Sequence, residues 1–291
     1  MIYLRHDIAA LFETERTVSD FLAIDCEVAR DFKNRQTGRF ERDGRAFYIK
    51  KHDRAYWWAL VDELLHLRKP HVGAGHEKAV LERLAELKVP TMRVAGFGAE
   101  GRCLAYQRSF LITDEIAPTI SLEQLSRNWR TRPPDARLKR GLIRQVADIA
   151  RTMHADGINH RDFYLAHFLL DTSDPDATGG GKPTRLFLID LHRAQRRRKV
   201  PIRMRVKDIG GLYFSAMDIG LTARDLLRFV RAYAAKSLSA TLEEDRIFWR
   251  KVRKRAVWQY RKMNRRNPDL VGARQARMLA ARPRRRRSCV V

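Results

Sequence analysis

The sequence predicts an α+β protein with a small strand-rich amino-terminal lobe and a mostly helical carboxy-terminal lobe. Three observations predict it. Short strand-like segments punctuated by glycine dominate about the first hundred residues. Apolar stripes at helical spacing dominate from Ala136 onward. The chain has 291 residues, 44% of them hydrophobic, which is enough to bury two substantial cores.

The first clear strand is "GRAFYIKKH", Gly44 to His52, entered through a turn at Asp43-Gly44. Tyr56 to Leu67 has helical spacing. So does Glu77 to Leu87, where Val80, Leu81, Leu84 and Leu87 share a face. "TMRVAGFG" and "RCLAYQRSF" read as a strand pair around Gly98 to Gly101. "FLITDEI", Phe110 to Ile116, then leads into a polar connection. We therefore expect an amino-terminal lobe over 1–112, a hinge at 113–118 and a helical lobe over 119–263.

That second lobe opens with a long stripe of Leu138, Leu142, Val146, Ile149 and Met153. Two short apolar runs follow, "HFLLD" and "RLFLID", joined by the loop "TSDPDATGGGKPT". The loop is not a Walker phosphate loop, because the earlier glycine is missing and proline follows the lysine. Lys207 to Met263 reads as helix-rich, and 264–291 as a basic, flexible tail.

The formal net charge of +25 calls for an acidic partner: nucleic acid, an anionic membrane surface or a phosphorylated substrate. From Arg250 to Arg287 sixteen Lys and Arg face one acid, Asp269, so this stretch supplies fifteen of the twenty-five excess charges. Cys26, Cys103 and Cys289 form no CxxC pair, which points to a reducing compartment rather than disulfides or zinc. No signal peptide or apolar run of the ~18 residues needed to span a bilayer appears. The expectation is a cytoplasmic protein that can lie on a membrane surface, where each cation near an anionic leaflet is worth ~1 kcal/mol.

"GINHRDFYLAHFLLD", Gly157 to Asp171, poses the chemical question. It places two histidines, an arginine and two aspartates among apolar neighbours, and buried charge is costly unless it is paired or used. Asp162 follows the helix-ending Gly157, and Asp190 closes the next apolar strand, "LFLID", twenty-eight positions later. Two short strands joined by a loop would present both acids at one edge. Phosphoryl transfer needs that layout: one carboxylate accepts the attacking hydroxyl's proton and the other holds Mg²⁺ against nucleotide phosphates. It also needs an anchored cation. Lys50 ends "AFYIK" and Glu77 opens a helix, so the order Lys, Glu, HRD, Asp is that of kinases. Glu82 is the rival partner, and Lys51 the rival lysine, although strand alternation favours Lys50.

"GINHRDFYLAHFLL", "FLIDLHRAQ", "RVKDIGGLYFSAMDIGLTARDLLRFVRAY" and "LAELKVPTMRVAGFG" together resemble the lipopolysaccharide core heptose kinases of the WaaP/RfaP family, from about Phe32 to Tyr233. The resemblance implies a protein-kinase-like bilobal fold, ATP and Mg²⁺ as cofactors, and the first heptose of the lipid-anchored inner core as acceptor. It implies Asp162 as catalytic base and Asp190 as metal ligand. His167 stands where protein kinases place a metal-binding asparagine, although Mg²⁺ prefers oxygen. The candidate nucleotide contacts are Lys50, Glu77, Gly38 within "NRQTGR", and the expected hinge residues Thr113, Asp114, Glu115 and Ile116.

Two kinase features are missing: a GxGxxG before Lys50, and an APE with a long activation segment after Asp190. The second absence favours a small-molecule or glycan hydroxyl over a protein one. His154 and His160 are expected to hold loop backbone, Arg161 to be a structural or substrate-facing charge, and Lys207 with Asp208 to form a helix-start ion pair without chemistry. Trp57 and Trp58 are expected in core or interface. Competing readings are a kinase for Kdo, another sugar or a protein hydroxyl, and a basic nucleic-acid-binding protein. The last is disfavoured, because it leaves Lys50, Asp162 and Asp190 without a purpose.

Overall fold

The structure is a computed structural model describing residues 1–32, 35–53, 74–101, 107–179 and 184–268. The expected helix at Tyr56 to Leu67 with Trp57 and Trp58, Cys103, and the tail from Asp269 onward lie outside the described residues.

The amino-terminal part is a six-stranded antiparallel sheet ordered β1-β5-β6-β4-β3-β2. Its strands are β1 (Ile2–Leu4), β2 (Glu27–Phe32), β3 (Arg35–Arg42), β4 (Arg45–His52), β5 (Val94–Glu100) and β6 (Arg108–Asp114). Alternation along β4 sends Phe47 and Ile49 to one face and Tyr48 and Lys50 to the other. On the first face Phe40, Phe47, Ile49, Phe110 and Ile112 pack under Ile8, Phe12 and Phe21. Those last three come from a 3-10 turn at His6–Phe12 and helix α1 (Val18–Ala23), whose Thr17 and Asp20 close a capping box. The sequence reading assigned no element to this segment. It closes the outer face of the sheet, leaving the Lys50 face for chemistry.

Helix α2 (Gly75–Glu86) buries Glu77, Val80, Leu81 and Leu84 on one stripe. Beyond β6 come the short β7 (Thr119–Ser121) and α3 (Leu122–Ser126), then α4 (Ala136–Ala155), which Asp135 caps through the N–H groups of Arg137 and Leu138. β8 (Ile158–Asn159) pairs with β11 (Gln195–Arg196), and β9 (Phe168–Asp171) with β10 (Leu186–Leu188). The two apolar runs of the sequence are therefore the antiparallel pair expected of them, with β7 completing a three-stranded sheet.

The remainder is helical: α5 (Ile202–Ser215), α6 (Ala223–Ala234), α7 (Leu238–Glu244) and α8 (Arg246–Asn264). One apolar core joins α2, α4, Phe163 and Leu165 of the loop after β8, α5, α6 and α8. Because that core includes both Leu81 of α2 and Met153 of α4, the helix bearing Glu77 is packed against the helical part. Among the described residues no helix is long and apolar enough to cross a membrane.

Candidate active site

Lys50 and Glu77 are both buried, 8% and 2% exposed, and the lysine ammonium donates to the Glu77 carboxylate. Glu82 points elsewhere and pairs with Lys78 at 2.6 Å. Lys51, on the other face of β4, donates to the Ile24 carbonyl. Residues 113–116 end β6 and follow it. Thr113 is buried, the Asp114 carboxylate takes two hydrogen bonds from Arg5 at 2.8 and 3.0 Å, and that of Glu115 takes two from Arg39 at 2.8 and 3.0 Å. Arg5 lies just after β1 and Arg39 on β3, so both carboxylates are held by arginines of the amino-terminal part. Gly38, the remaining candidate nucleotide contact, lies within β3. It lies opposite Ile49, on the face away from Lys50, and a Cβ there would collide with the Cys26 sulfur. Close strand packing is the reason for that glycine.

Asp162 and Asp190 meet through His167. Its Nδ1 donates to the Asp162 carbonyl at 2.6 Å, which leaves Nε2 with a lone pair when the ring is neutral. That Nε2 lies 3.4 Å from an Asp190 carboxylate oxygen. Asp190 itself adopts a left-handed conformation, φ 62°, and takes a hydrogen bond from His192 Nδ1. Burial works against its charge. The hydrogen bond and charge of His192, followed by Lys50 and His167, outweigh this and hold the carboxyl well below the usual range. Lys50 of the sheet is thus electrostatically coupled to Asp190 of the helical part.

Asp162 accepts from Arg193, one nitrogen of which spans both carboxylate oxygens at 3.0 Å each. His160 is fully buried, and its Nε2 donates to the Ile189 carbonyl at 3.0 Å. Burial lowers its pKa, so the ring is a neutral strut between the two acid-bearing segments. His154 bridges the Tyr233 hydroxyl and Asp208 at 2.9 and 3.3 Å. Both histidines therefore hold structure.

Asp208 overturns its expectation. It is not at a helix start paired with Lys207. It sits mid-way along α5, fully buried, and accepts the backbone N–H groups of His160 and Arg161 at 2.7 and 2.8 Å. The sequence did carry a signal: "KDIGG" places an acid beside two helical glycines. A Cβ on Gly211 would crowd Tyr164 Cε1 at 3.0 Å and the Phe163 carbonyl at 3.2 Å, so Gly211 lets α5 approach the loop, whereas Gly210 faces Arg255 of α8.

A divalent cation has a suitable donor set in the Asp190 carboxylate and the His167 Nε2 lone pair. One oxygen-bearing side chain plus one further ligand is enough where phosphates and water complete the sphere. No group of three or more His, Cys, Asp or Glu side chains able to hold a metal occurs among the described residues.

Comparison with known proteins decides the family. The family model described as "Lipopolysaccharide kinase (Kdo/WaaP) family" matches residues 19–233. The chain belongs to this family. It is 41% identical over 245 residues to the lipopolysaccharide core heptose(I) kinase WaaP of Escherichia coli, covering 84% of this chain and 91% of that protein. It is 44% identical over 223 residues to the WaaP of Pseudomonas aeruginosa, covering 77% and 82%. A solved structure described as "WaaP in complex with acyl carrier protein" superposes with a TM-score of 0.76 at 38% identity, over 89% of this chain and 99% of that one. The kinase-like α+β fold expected from the sequence is met. Lys50, Glu77, Asp162, His167, Asp190 and Asp208 all lie inside the matched range.

Proposed function

We propose that this protein is an ATP-dependent kinase that phosphorylates a heptose hydroxyl of the lipopolysaccharide inner core. The observation that carries the proposal is a buried Lys50–Glu77 pair in the same chain as Asp162 and Asp190 linked through His167, in a Kdo/WaaP-family protein. The relatives named heptose(I) kinases support the heptose as acceptor.

Lys50, fixed by Glu77, orients the nucleotide phosphates from the sheet side. The main chain of residues 113–116 offers the edge against which a base can lie. ATP supplies the phosphoryl group and Mg²⁺ neutralises its charge, held by Asp190 with His167. Asp162 accepts the proton of the attacking sugar hydroxyl as that oxygen bonds to phosphorus and the bridging oxygen leaves. Asp208 and His160 keep the Asp162 loop in place.

A lipid-anchored acceptor asks the enzyme to work at a membrane surface. Helix α8 suits an anionic inner leaflet, with exposed Ile247, Trp258 and Met263 among its many Lys and Arg. Arg255 and Lys262 lie over the Trp258 ring at 4.6 and 5.4 Å.

A second partner is favoured by one feature. The helical part encloses an apolar cavity of about 440 Å³ between Trp129, Leu142, Val146, Leu212, Phe229 and Trp249, with exposed Arg246, Arg250 and Arg253 also lining it. An acyl group presented by an acidic carrier suits such a cavity, and the solved relative was captured with an acyl carrier protein.

Purified protein, ATP and Mg²⁺ should transfer phosphate to inner-core oligosaccharide lacking it, and mass spectrometry should place the new phosphate on heptose. Asp162→Asn should abolish transfer while nucleotide binding persists. Phosphate on Kdo or on protein instead would replace the proposed acceptor, and no transfer at all would sink the kinase reading.

A further inference from the structure

Arg30 of β2 stands opposite Thr37 of β3, and Thr37 stands opposite Lys50 of β4. Residues directly opposite on neighbouring antiparallel strands carry their side chains on one face. Arg30 therefore shares the face of Lys50, its backbone about 10 Å away across two strand spacings. A slip in the pairing produces this arrangement. The register of β2 against β3 shifts between Val28 and Arg30, so Arg30 rather than Ala29 meets Thr37. β2 is an edge of the sheet, and a bulge at an edge re-aims a side chain.

The reach of the side chain gives the direction. The Arg30 guanidinium lies 4.0 Å from Asp190 Oδ2, a contact that crosses from the sheet to the segment after β10. The same oxygen faces His167 Nε2 at 3.4 Å, while the other Asp190 oxygen accepts from His192. His167 in turn donates to the Asp162 carbonyl. Arg30 thus reaches the end of the site where Asp190 and Asp162 are linked, whereas Lys50 is buried and tied to Glu77.

At 4.0 Å, with its side chain 63% exposed, Arg30 is only weakly paired with Asp190. A group that accepts two N–H bonds at once competes well for such a guanidinium, and a phosphoryl group is one. The site also has a need for it. A triphosphate brought against Asp190 sets like charges together, and the GxGxxG that covers phosphates in protein kinases is missing before Lys50. The strand pair leading to Lys50 carries an arginine side chain over the site instead.

We propose that Arg30 binds the nucleotide and donates to its γ-phosphoryl group, from the side opposite Lys50. The inference rests on the kinase reading of the site. The fixed charge acts twice. It offsets repulsion between Asp190 and the γ-phosphoryl oxygens when ATP binds. It then stabilises that group as the acceptor oxygen bonds to the γ-phosphorus, the hydroxyl proton passes to Asp162, and the bond to the bridging oxygen breaks to leave ADP. ADP lacks the group that Arg30 holds, so this residue distinguishes donor from product.

The test uses the full chain as wild type, Arg30→Met, Arg30→Gln and Arg30→Lys, and reads binding before turnover. ATP and ADP are titrated separately by calorimetry with Mg²⁺ and without acceptor. Arg30→Met should lose about tenfold in ATP affinity and keep ADP affinity within about twofold of wild type. Arg30→Lys should recover part of the loss, because the charge remains and the forked geometry does not. The side chain is mostly exposed, so Arg30→Met should melt with the wild type, and Arg30→Gln repeats the comparison with a polar side chain. With core oligosaccharide as acceptor, kcat of both uncharged variants should fall by about tenfold or more. An equal fall in ATP and ADP affinity, or ATP affinity unchanged in both uncharged variants, overturns the γ-phosphoryl contact. A wild type that binds ATP but transfers nothing refutes the kinase reading and leaves the ATP–ADP comparison to judge Arg30. A wild type that binds neither nucleotide refutes both.

Discussion

Asp208 accepts the backbone N–H of Arg161 at 2.8 Å, and Arg161 is held at φ 77°. A left-handed conformation at a non-glycine residue costs about 1–3 kcal/mol and persists only where its surroundings impose it. The buried carboxylate imposes it here, and so fixes where Asp162 points. We predict that Asp208→Asn lowers kcat at least tenfold with little change in nucleotide affinity. Loss of a buried charged acceptor from two N–H groups should also cost roughly 2–4 kcal/mol of stability, read as a lower urea midpoint. Unchanged kcat in a folded variant would remove Asp208 from the positioning of the loop.

The Lys50–Glu77 pair makes a different kind of prediction. Both groups are buried, so removing one strands the other's charge, at a cost of about 3–5 kcal/mol. Glu77→Leu alone should therefore be strongly destabilised. Combining it with Lys50→Met should restore much of that stability, because an apolar pair of similar volume carries no desolvation penalty. The double variant should still fail to turn over. A double-mutant cycle in urea, with parallel assays, checks both halves.

Which parts of this site could be read from sequence follows from physical locality. Lys50 was legible because strand alternation is a fixed geometric period, and Glu77 because an acid in a helix's first turn on its apolar stripe has one outlet. Asp190 stood out because it closes the apolar run LFLID, and Asp162 because it lies between the helix-ending Gly157 and the run HFLLD. The two strands bearing that logic pair in register, Leu188 opposite Phe168. Asp208 was not legible. Its partners lie 47 and 48 positions away, and nothing local distinguishes an acid that caps another segment's backbone from one paired with its neighbour. Arg193 and Asp162 are 31 apart and joined only by tertiary folding. Gly38 shows the converse difficulty, because close packing and phosphate approach leave the same residue type in a sequence. The ties of Asp114 to Arg5 and of Glu115 to Arg39 are likewise tertiary, 109 and 76 positions apart.

His167 and Asp190 together predict how the enzyme should respond to its metal. Nitrogen is a weaker ligand for Mg²⁺ than for Mn²⁺ or other first-row ions. His167→Asn should retain turnover with Mg²⁺ and lose any preference for Mn²⁺. Asp190→Ala should abolish the dependence of nucleotide affinity on either ion. Titrating fluorescent nucleotide against each metal distinguishes the two outcomes. Identical metal profiles for wild type and His167→Asn would exclude the histidine from the site.

Stability should depend on pH through two buried histidines. His52 ends β4 on the Lys50 face, and its Nε2 is buried without a partner. Burial first, then Arg35, Lys50 and His192, push its pKa down to about 3, and burial lowers that of His160 too. The sign follows from proton counting. Between the unfolded histidine value near 6.5 and the depressed folded value, the unfolded chain binds more protons than the native one. Stability from these groups is therefore fully present above pH 6.5 and declines as pH falls below it. Each histidine contributes a slope of up to about 1.4 kcal/mol per pH unit. The buried carboxyl of Asp190, also depressed, adds to the loss only below about pH 4, where unfolded carboxylates protonate. We predict a melting temperature that is flat from pH 8 to 7 and falls steadily from pH 6.5 to 5. His52→Gln should flatten that decline by about half. A melting temperature independent of pH across this window would mean that neither ring is held neutral by the fold.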